Sequence, residues 1–381
     1  VYAESRLPWP AAIRRTLEER GLSGLYSHQA LATDHIRAGH SVVVATPTAS
    51  GKSLIYNLPV LERHLRDSEA RALYLFPLKA LAQDQLAGLQ RLVSGWPEEA
   101  RPTAALYDGD TSDHFRRKIR RDPPTVLISN PEMLHLALLP HHEQWAPFLA
   151  GLSHIVVDEA QDMSQAEFLV LRRMNPGATF TIVGDMMQGV NAARGLSSWD
   201  ALAPVLDGPY DLRELITSYR STVEIILLAR RVWENCPSPV STRIEPVLRH
   251  GDAPLVERVG DVAARVLQQM EWWKHLPSVA VIAKTEADAD ALCRRLPGAR
   301  RLDVGESEYH TGVLVASAAA VKGLEFDGVI VADASAAQYA ARVEDAKLLY
   351  VALTRALHHL CVFYADVCTP LLDGATLGET A

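Results

Sequence analysis

Two adjacent acids, Asp158 and Glu159, stand in the segment HIVVDEAQDMSQ at residues 154–165. The apolar residues before them are typical of a buried strand, so both carboxylates would emerge where the strand ends. Paired carboxylates at such a place can divide the work of phosphoryl transfer, because one holds Mg²⁺ while the other orients or deprotonates the attacking water. We predict that Asp158 binds Mg²⁺ and that Glu159 acts on the water.

A second chemical pattern is the loop TPTASGKS at residues 46–53, which follows the apolar run SVVVAT. Its spacing matches G-x-x-x-x-G-K-[ST], with Thr46 in place of the first glycine. Backbone amides of such a loop and of the helix that follows can hold phosphate oxygens. Lys52 would reach the β and γ phosphates, and Ser53 would be a second Mg²⁺ ligand. The predicted phosphate-binding residues are Thr48, Ala49, Ser50, Gly51, Lys52 and Ser53.

Upstream of this loop, the segment LYSHQ places Tyr26 and Gln29 just before a helical stretch. A side-chain amide can donate to and accept from the edge of an adenine ring. Taken together with the phosphate loop, Gln29 resembles the adenine-reading glutamine of superfamily 2 helicases. The resemblance implies that Tyr26 and Gln29 bind the nucleotide base, and that the cofactors are ATP and Mg²⁺.

Short apolar runs alternate with helical patterns along most of the chain. Because the runs are apolar throughout rather than alternating, they indicate parallel strands covered on both faces, and hence a doubly wound α/β fold. The Gly- and Pro-containing segment LDGPYD at 206–211 is the best linker candidate. We expect one domain over 1–207 and a second over 208–381. The predicted strands are 41–46, 72–76, 125–129, 154–158, 179–184, 279–283, 312–317 and 328–333.

Composition limits the class of protein. The net charge of −8 argues against a uniformly basic nucleic-acid binder, so any such contact would come from a local groove. Four cysteines show neither C-x-x-C nor zinc-ligand spacing, which predicts reduced thiols rather than a metal site. No apolar run has the length of a membrane span. We expect a cytoplasmic protein without a membrane partner.

The first half of the chain carries three further motifs beyond its predicted strands: YLFPLKALAQDQ (74–85), LYDGDT (106–111) and VLISNPEMLH (126–135). With the phosphate loop, they resemble the DEAD/DEAH-type helicases of the YprA and MrfA kind over residues 5–157. In that family these loops grip the backbone of the nucleic-acid strand that is tracked. The implied contacts are Pro77, Lys79, Gln83, Asp108, Gly109, Asn130 and Pro131.

The second half resembles a different family. DEAQDM, TIVGDMMQG (181–189), LITSYRSTVEI (215–225), VKGLEFDGVIV (321–331) and LLYVALTRALHHL (348–360) resemble superfamily 1 helicases of the UvrD, Rep and HelD group over residues 154–364. The resemblance implies that Gln188 contacts the γ-phosphate and the water, that Arg220 and Arg355 are arginine fingers, and that Gly323 and Glu325 lie in the ribose and coupling loop.

The chain therefore looks like a hybrid of two helicase families joined at the acidic strand, with two RecA-like domains. Departures from the second family fall on the nucleic-acid side. Asn191 and Ala193 replace two aromatic residues that would stack on bases, and Ala319 replaces a histidine. Arg194 remains, and Ser317 replaces a threonine; both would contact nucleic acid. We therefore expect weak DNA binding.

The first functional hypothesis is an ATP-driven 3′-to-5′ DNA helicase or translocase that acts on single-stranded or partly duplex DNA. Alternatives are a HelD-like ATPase whose partner is RNA polymerase, a poorly coupled nucleotide-binding module and, more distantly, a kinase-like P-loop enzyme. The sequence leaves open the choice between DNA and RNA, and the oligomeric state.

Overall fold

Short strands rich in Val and Ile build two separate parallel sheets. The computed structural model describes residues 2–22, 24–45, 51–77, 79–189, 195–196, 198–206, 210–214, 217–218, 221–237, 245–246, 249–302 and 311–374. These residues form two compact units. The first takes the described residues among 1–46, 51–185 and 193–215, and the second takes those among 186–192 and 216–381.

The first unit contains a seven-stranded parallel sheet in the order β5-β6-β4-β7-β8-β3-β9. Val43, Ile155 and Val156 are fully buried, as expected for central strands covered on both faces. A small antiparallel pair, β1 with β2, precedes this sheet. The strands of the unit are β1 (Tyr2–Ala3), β2 (Leu25–Tyr26), β3 (Val42–Ala45), β4 (Arg71–Leu75), β5 (Ala104–Tyr107), β6 (Val126–Ser129), β7 (Leu152–Val157), β8 (Thr179–Gly184) and β9 (Asp211–Glu214).

Helices connect these strands. They are α1 (Ala11–Glu19), α2 (Ser27–Arg37), α3 (Lys52–Arg66), α4 (Lys79–Leu92), α5 (Asp113–Arg121), α6 (Pro131–Met133), α7 (Ala146–Gly151) and α8 (Gln165–Met174). A π-helix covers Leu134–Leu138, and 3₁₀ turns cover Glu98–Ala100, His142–Trp145, Ala160–Asp162 and Trp199–Leu202.

The second unit contains a six-stranded parallel sheet in the order β12-β17-β16-β13-β15-β14, with a separate parallel pair, β10 with β11. Its strands are β10 (Thr217–Ser218), β11 (Glu245–Pro246), β12 (Leu255–Arg258), β13 (Ser278–Ala283), β14 (Arg300–Arg301), β15 (Gly312–Ser317), β16 (Phe326–Val331) and β17 (Ala356–Tyr364). Its helices are α9 (Val223–Glu234), α10 (Val262–Trp272), α11 (Glu286–Cys293) and α12 (Val343–Leu353), with 3₁₀ turns at Met186–Gln188 and Pro370–Leu372.

The predicted doubly wound α/β class is confirmed, and all eight predicted strands are present as β3, β4, β6, β7, β8, β13, β15 and β16. The predicted domain boundary near residue 208 falls before β9, which pairs with β3. The first unit therefore extends beyond that boundary to residue 215. Among the described residues, we find no helix with the length and apolar character needed to cross a membrane.

Candidate nucleotide site and its partners

The start of α3 has the geometry of a phosphate-binding helix terminus. Gly51 caps the helix with a φ of 69°, and Lys52 is its first residue. This positive φ favours glycine, and a β-carbon added to Gly51 would lie 2.4 Å from the side-chain nitrogen of Gln29, which would have to move. The first helical amides are without partners inside the helix and can therefore bind an anion. Thr46, Thr48, Ala49 and Ser50 lie outside the described residues.

Gln29 links the helix start to the segment upstream. Its side chain is 2% exposed. Its oxygen accepts from the backbone N–H of Tyr26 at 2.9 Å, and its nitrogen donates to the carbonyl of Gly51 at 3.0 Å. Besides these two bonds, the amide group has a second N–H and a second lone pair. The Tyr26 ring stacks on those of Tyr2 and His28, with centroids 5.1 and 5.8 Å apart.

Lys52 and Asp158 come together at the carboxyl ends of β3 and β7. The Lys52 ammonium lies 4.0 Å from a carboxylate oxygen of Asp158, and both side chains are largely buried. Ser53, on the first turn of α3, is half-buried. A carboxylate and a hydroxyl are hard oxygen donors, and Mg²⁺ usually takes one or two such protein ligands together with phosphates and water. The predicted ligands Ser53 and Asp158 fit this chemistry. Within the described ranges, no group of three or more His, Cys, Asp or Glu side chains could hold a metal by itself.

Glu159 has a constrained backbone and a fixed carboxylate. It is the one described non-glycine residue with positive φ, at 51°, a conformation that costs about 1–3 kcal/mol and is found most often at functional sites. One of its carboxylate oxygens accepts from the side-chain N–H of Gln161 at 2.6 Å. The conformation and the hydrogen bond together fix the direction of this carboxylate.

Gln161 has no role predicted from the sequence, although it stands within the quoted motif. Its side chain is 1% exposed, and its oxygen accepts from the backbone N–H of Asp185 at 2.9 Å. The amide therefore joins the carboxylate of Glu159 to the end of β8. Gly184 packs against it so closely that an added β-carbon would lie 2.3 Å from the Gln161 oxygen. The only signal in the sequence is the amide itself, which can donate and accept at the same time.

Arg355 lies in the second unit and is fully buried. Its guanidinium donates to the carbonyls of Val351 at 3.1 Å and Leu324 at 3.2 Å, and to the hydroxyl of Thr354 at 3.2 Å. It also donates to the side-chain oxygen of Gln188 at 3.0 Å, so two residues predicted to meet the γ-phosphate meet each other. The other predicted finger, Arg220, lies outside the described residues.

Ser317 is placed differently from the prediction. It is 1% exposed, and its hydroxyl donates to Glu286 and accepts from the backbone N–H of Ala320 at 3.1 Å. This hydroxyl holds a turn inside the second unit instead of facing solvent, because Glu286 at the start of α11 lies directly over it. Of the other coupling-loop residues, Gly323 has a φ of 80° and Glu325 is half-buried.

The predicted nucleic-acid residues of the first unit lie at one edge of its sheet, since they follow the carboxyl ends of β4, β5 and β6. Gln83 and Gly109 are exposed, whereas Pro77 and Pro131 are half-buried. Lys79 donates to Asp110 at 2.7 Å, and this hydrogen bond raises the pKa of Lys79.

Two of these residues use their side chains to hold their own turns. Asp108 accepts from the Asp110 N–H at 3.0 Å, and Asn130 accepts from the Met133 N–H at 2.8 Å. Among the predicted nucleic-acid residues of this edge, the backbone groups and the side chains of Lys79 and Gln83 therefore remain as the groups that can bind a ligand. Asn191, Ala193 and Arg194 lie outside the described residues.

A parallel α/β unit with a glycine-capped phosphate helix and an Asp-Glu pair, followed by a second parallel α/β unit, defines the class of protein. This architecture resembles the P-loop NTPase core of helicases. Comparisons with known proteins agree. Residues 26–174 match the model of the DEAD/DEAH box helicase family, and residues 313–363 match the UvrD-like helicase C-terminal domain. The predicted resemblance of the two halves to two different helicase families is confirmed.

Two curated relatives each match less than two fifths of this chain. The uncharacterized ATP-dependent helicase YprA of Bacillus subtilis is 46% identical over 147 residues, which are 39% of this chain and 19% of YprA. The ATP-dependent helicase HRQ1 of Saccharomyces cerevisiae is 43% identical over 134 residues, which are 35% of this chain and 12% of HRQ1. The chain thus spans less than a fifth of either curated relative.

Solved structures match nearly the whole chain in fold. The DUF1998 helicase MrfA bound to DNA has a TM-score of 0.65 at 23% identity, covering 96% of this chain and 50% of MrfA. Helicase Lhr of Mycobacterium smegmatis, bound to single-stranded DNA and AMP-PNP, has a TM-score of 0.65 at 18% identity, covering 95% of this chain and 48% of Lhr. At these identities the likeness establishes the fold.

Proposed function

We propose that the chain is the core of an ATP-dependent motor that moves 3′ to 5′ along single-stranded DNA and hydrolyses ATP to ADP and phosphate. The observation that carries this proposal is the fixed carboxylate of Glu159. It is held by Gln161 and stands next in the chain to Asp158, which lies 4.0 Å from Lys52. In an ATP-driven motor the position of the catalytic base has to respond to movement elsewhere in the protein. The hydrogen bond from the Asp185 N–H to Gln161 connects the Glu159 carboxylate to the end of β8.

In this proposal the phosphates of ATP lie against the N-terminus of α3 and the ammonium of Lys52. Asp158 and Ser53 would hold Mg²⁺, which would neutralise charge on the β and γ phosphates. The Glu159 carboxylate accepts the proton of the attacking water, and the hydrogen bond from Gln161 fixes the orientation of this carboxylate. Tyr26 and Gln29 bind the base, while Gly323 and Glu325 act on the ribose side.

Charge that develops on the transferring phosphoryl group needs cations beyond Lys52. We assign this role to Arg220 and Arg355, with Gln188 placing the water. Arginine fingers contribute about 10³–10⁵ in rate in related phosphoryl-transfer enzymes. Because Arg355 already donates to Gln188, loss of either residue would change the position of the other.

Single-stranded DNA is the proposed track, and the 3′-to-5′ direction rests on the family resemblance. MrfA and Lhr are similar folds whose structures are described as bound to DNA. Lys79, Gln83, Gly109 and the backbone around Asn130 would hold the sugar-phosphate backbone. Such binding would be salt-sensitive, because cations that bind phosphates release counterions. A cytoplasmic location fits this substrate.

Steady-state ATP hydrolysis with and without single-stranded DNA tests the proposal. The unmodified chain should be strongly stimulated by DNA, and Glu159→Gln should lose most turnover while still binding ATP, since Lys52 and Asp158 remain. The matched control is Glu143→Gln, which removes the same charge from an exposed position of the same unit.

Equal turnover of Glu159→Gln and the control would contradict the role of Glu159. Stimulation by RNA polymerase alone would favour the HelD-like alternative. Stimulation by RNA alone would mean that the motor moves along RNA instead of DNA. Absence of hydrolysis under every condition would favour a nucleotide-binding module.

A further inference from the structure

Helix α5 is the most basic element of the first unit. Its sequence DHFRRKIRR contains five Lys or Arg residues and one Asp, in a chain whose net charge is −8. Arg117, Lys118 and Arg121 are exposed. They follow a spacing of one and then three residues, which places them within about 100° of arc on one helix face. We call these three residues the basic stripe.

The charges of the basic stripe are not neutralised within the protein. Some exposed arginines have carboxylate partners, such as Arg63 with Asp67 and Arg295 with Asp261. By contrast, none of the three makes an ion pair with any residue that the structure describes. Arg117 donates only to the backbone carbonyl of Asp113 at 3.3 Å. The face is therefore free to bind an anionic partner.

A neighbouring arginine fixes the helix to the turn at residues 108–111. Arg116 donates to three carbonyls of this turn: Thr111 at 2.7 Å, Asp108 at 3.1 Å and Gly109 at 3.2 Å. The turn is part of the predicted nucleic-acid grip. Arg117 is the next residue after Arg116, so the stripe begins one residue along the helix from the side chain that holds the turn.

We propose that the basic stripe binds phosphates of the nucleic acid adjacent to the segment held by the turn at 108–111; this inference rests on the proposed function. Nine helical residues extend about 14 Å, at 1.5 Å each. In B-form DNA one strand presents a phosphate about every 3.4 Å of axis. The stripe from Arg117 to Arg121 covers about 6 Å of this length, and so about three successive phosphates, which its three long cationic side chains can reach.

Nucleic acid fits the stripe better than an acidic protein does, for two reasons. The stripe begins one residue after the side chain that holds the turn, so a polyanion lying on that turn can extend onto the helix. In addition, much of the remaining surface is acidic and repels a polyanion, so binding would concentrate on a local basic face.

The test compares two triple substitutions in the full chain. Arg117→Gln, Lys118→Gln and Arg121→Gln together remove the stripe, and glutamine keeps the helix propensity. The matched control is Arg14→Gln, Arg15→Gln and Arg20→Gln. These residues are also exposed, in or next to α1 of the same unit, so the charge change is equal.

Binding of a labelled single-stranded DNA is measured by anisotropy over a salt titration, with thermal melts of both variants. Each phosphate that the protein no longer binds lowers the slope of log K against log salt by about 0.7, so the stripe variant should have a slope smaller by about 2. At low salt this corresponds to a loss of affinity of about tenfold or more. The control should keep the slope. Arg117→Lys with Arg121→Lys should also keep it, because the charges remain.

A stripe variant with the slope of the control would overturn the inference. So would an unchanged DNA slope combined with loss of binding to polyglutamate, which would mark a docking face for acidic protein. The proposed function is tested on the unmodified chain. If that chain neither binds DNA nor is stimulated by it, both the proposed function and this inference are wrong.

Discussion

The two units use their motif residues in contrasting ways. In the first unit, Asp158 and Glu159 follow the carboxyl end of β7, and Lys52 begins the helix after β3, which β8 separates from β7. Parallel α/β folds bind ligands at this edge. In the second unit, Ser317 ends β15 whereas Arg355 precedes β17. Because the strands are parallel, the two residues lie at opposite ends of the strands. Both are buried and bound to protein groups. A motif thus predicts where a residue stands in a fold better than what its side chain contacts.

The largest expected effect comes from Arg355→Ala. If Arg355 is an arginine finger, turnover per folded molecule falls by about 10³–10⁵. The buried guanidinium also satisfies four acceptors, so the free energy of unfolding should fall as well, by about 3 kcal/mol. Steady-state ATPase and chemical denaturation of the same preparation measure the two effects.

Arg294→Ala serves as the control for Arg355, because Arg294 is an exposed arginine of the same unit. It should change neither quantity. Loss of stability with normal turnover per folded molecule would make Arg355 a structural residue. The motif residues of the second unit would then differ even more from the catalytic residues of the first unit. The same comparison applies to Arg220→Ala.

Gln161→Ala tests the first unit at a residue that its motif alone does not assign. Removal of the amide leaves the Glu159 carboxylate without its donor and the Asp185 N–H without its acceptor. We expect turnover to fall by about 10–100-fold, the range for outer hydrogen-bond partners at metal sites, with a small change in ATP affinity. Gln161→Glu offers a carboxylate in place of the donor and should be at least as impaired. Near-normal kcat in Gln161→Ala would show that strand β7 alone positions Glu159.

The smallest effect is expected for Ser317→Ala. Its hydroxyl bonds Glu286 and the Ala320 N–H within the protein, so its loss should lower the free energy of unfolding by about 1–2 kcal/mol. DNA affinity should not change at any salt concentration. Ser317→Thr keeps the hydroxyl and should keep the stability. A selective loss of DNA affinity in Ser317→Ala would instead restore the direct contact that the family motif implies, and would remove the contrast between the units.

Apolar strands are predictable from the sequence because each central strand is buried on both faces. Nine of the described strands lie outside the predicted runs, and β17 and β9 show why. β17 follows α12 after only Thr354 and Arg355, without a Gly or Pro to mark the change, and the whole segment reads as one motif. β9 has the polar sequence DLRE and pairs on one side only, so it carries no apolar run.

In the site, Lys52, Asp158 and Glu159 are predictable because their chemistry fixes their residue types. Gln161 and Arg116 are not, since their roles depend on which backbone groups the fold brings to them. The motif assigns Ser317 to nucleic acid because nothing in it indicates Glu286, which stands on another helix.

The pairing of β9 with β3 affects how the first unit forms during synthesis. Val42 is in register with Asp211, so the sheet includes a contact of very high sequence separation. Such contacts slow folding, and an N-terminal domain otherwise folds as the chain leaves the ribosome. Until residue 214 has emerged, the nascent chain exposes one edge of β3, the strand that leads into the phosphate loop. A polypeptide ending at residue 207 would keep this edge open permanently and should aggregate through it.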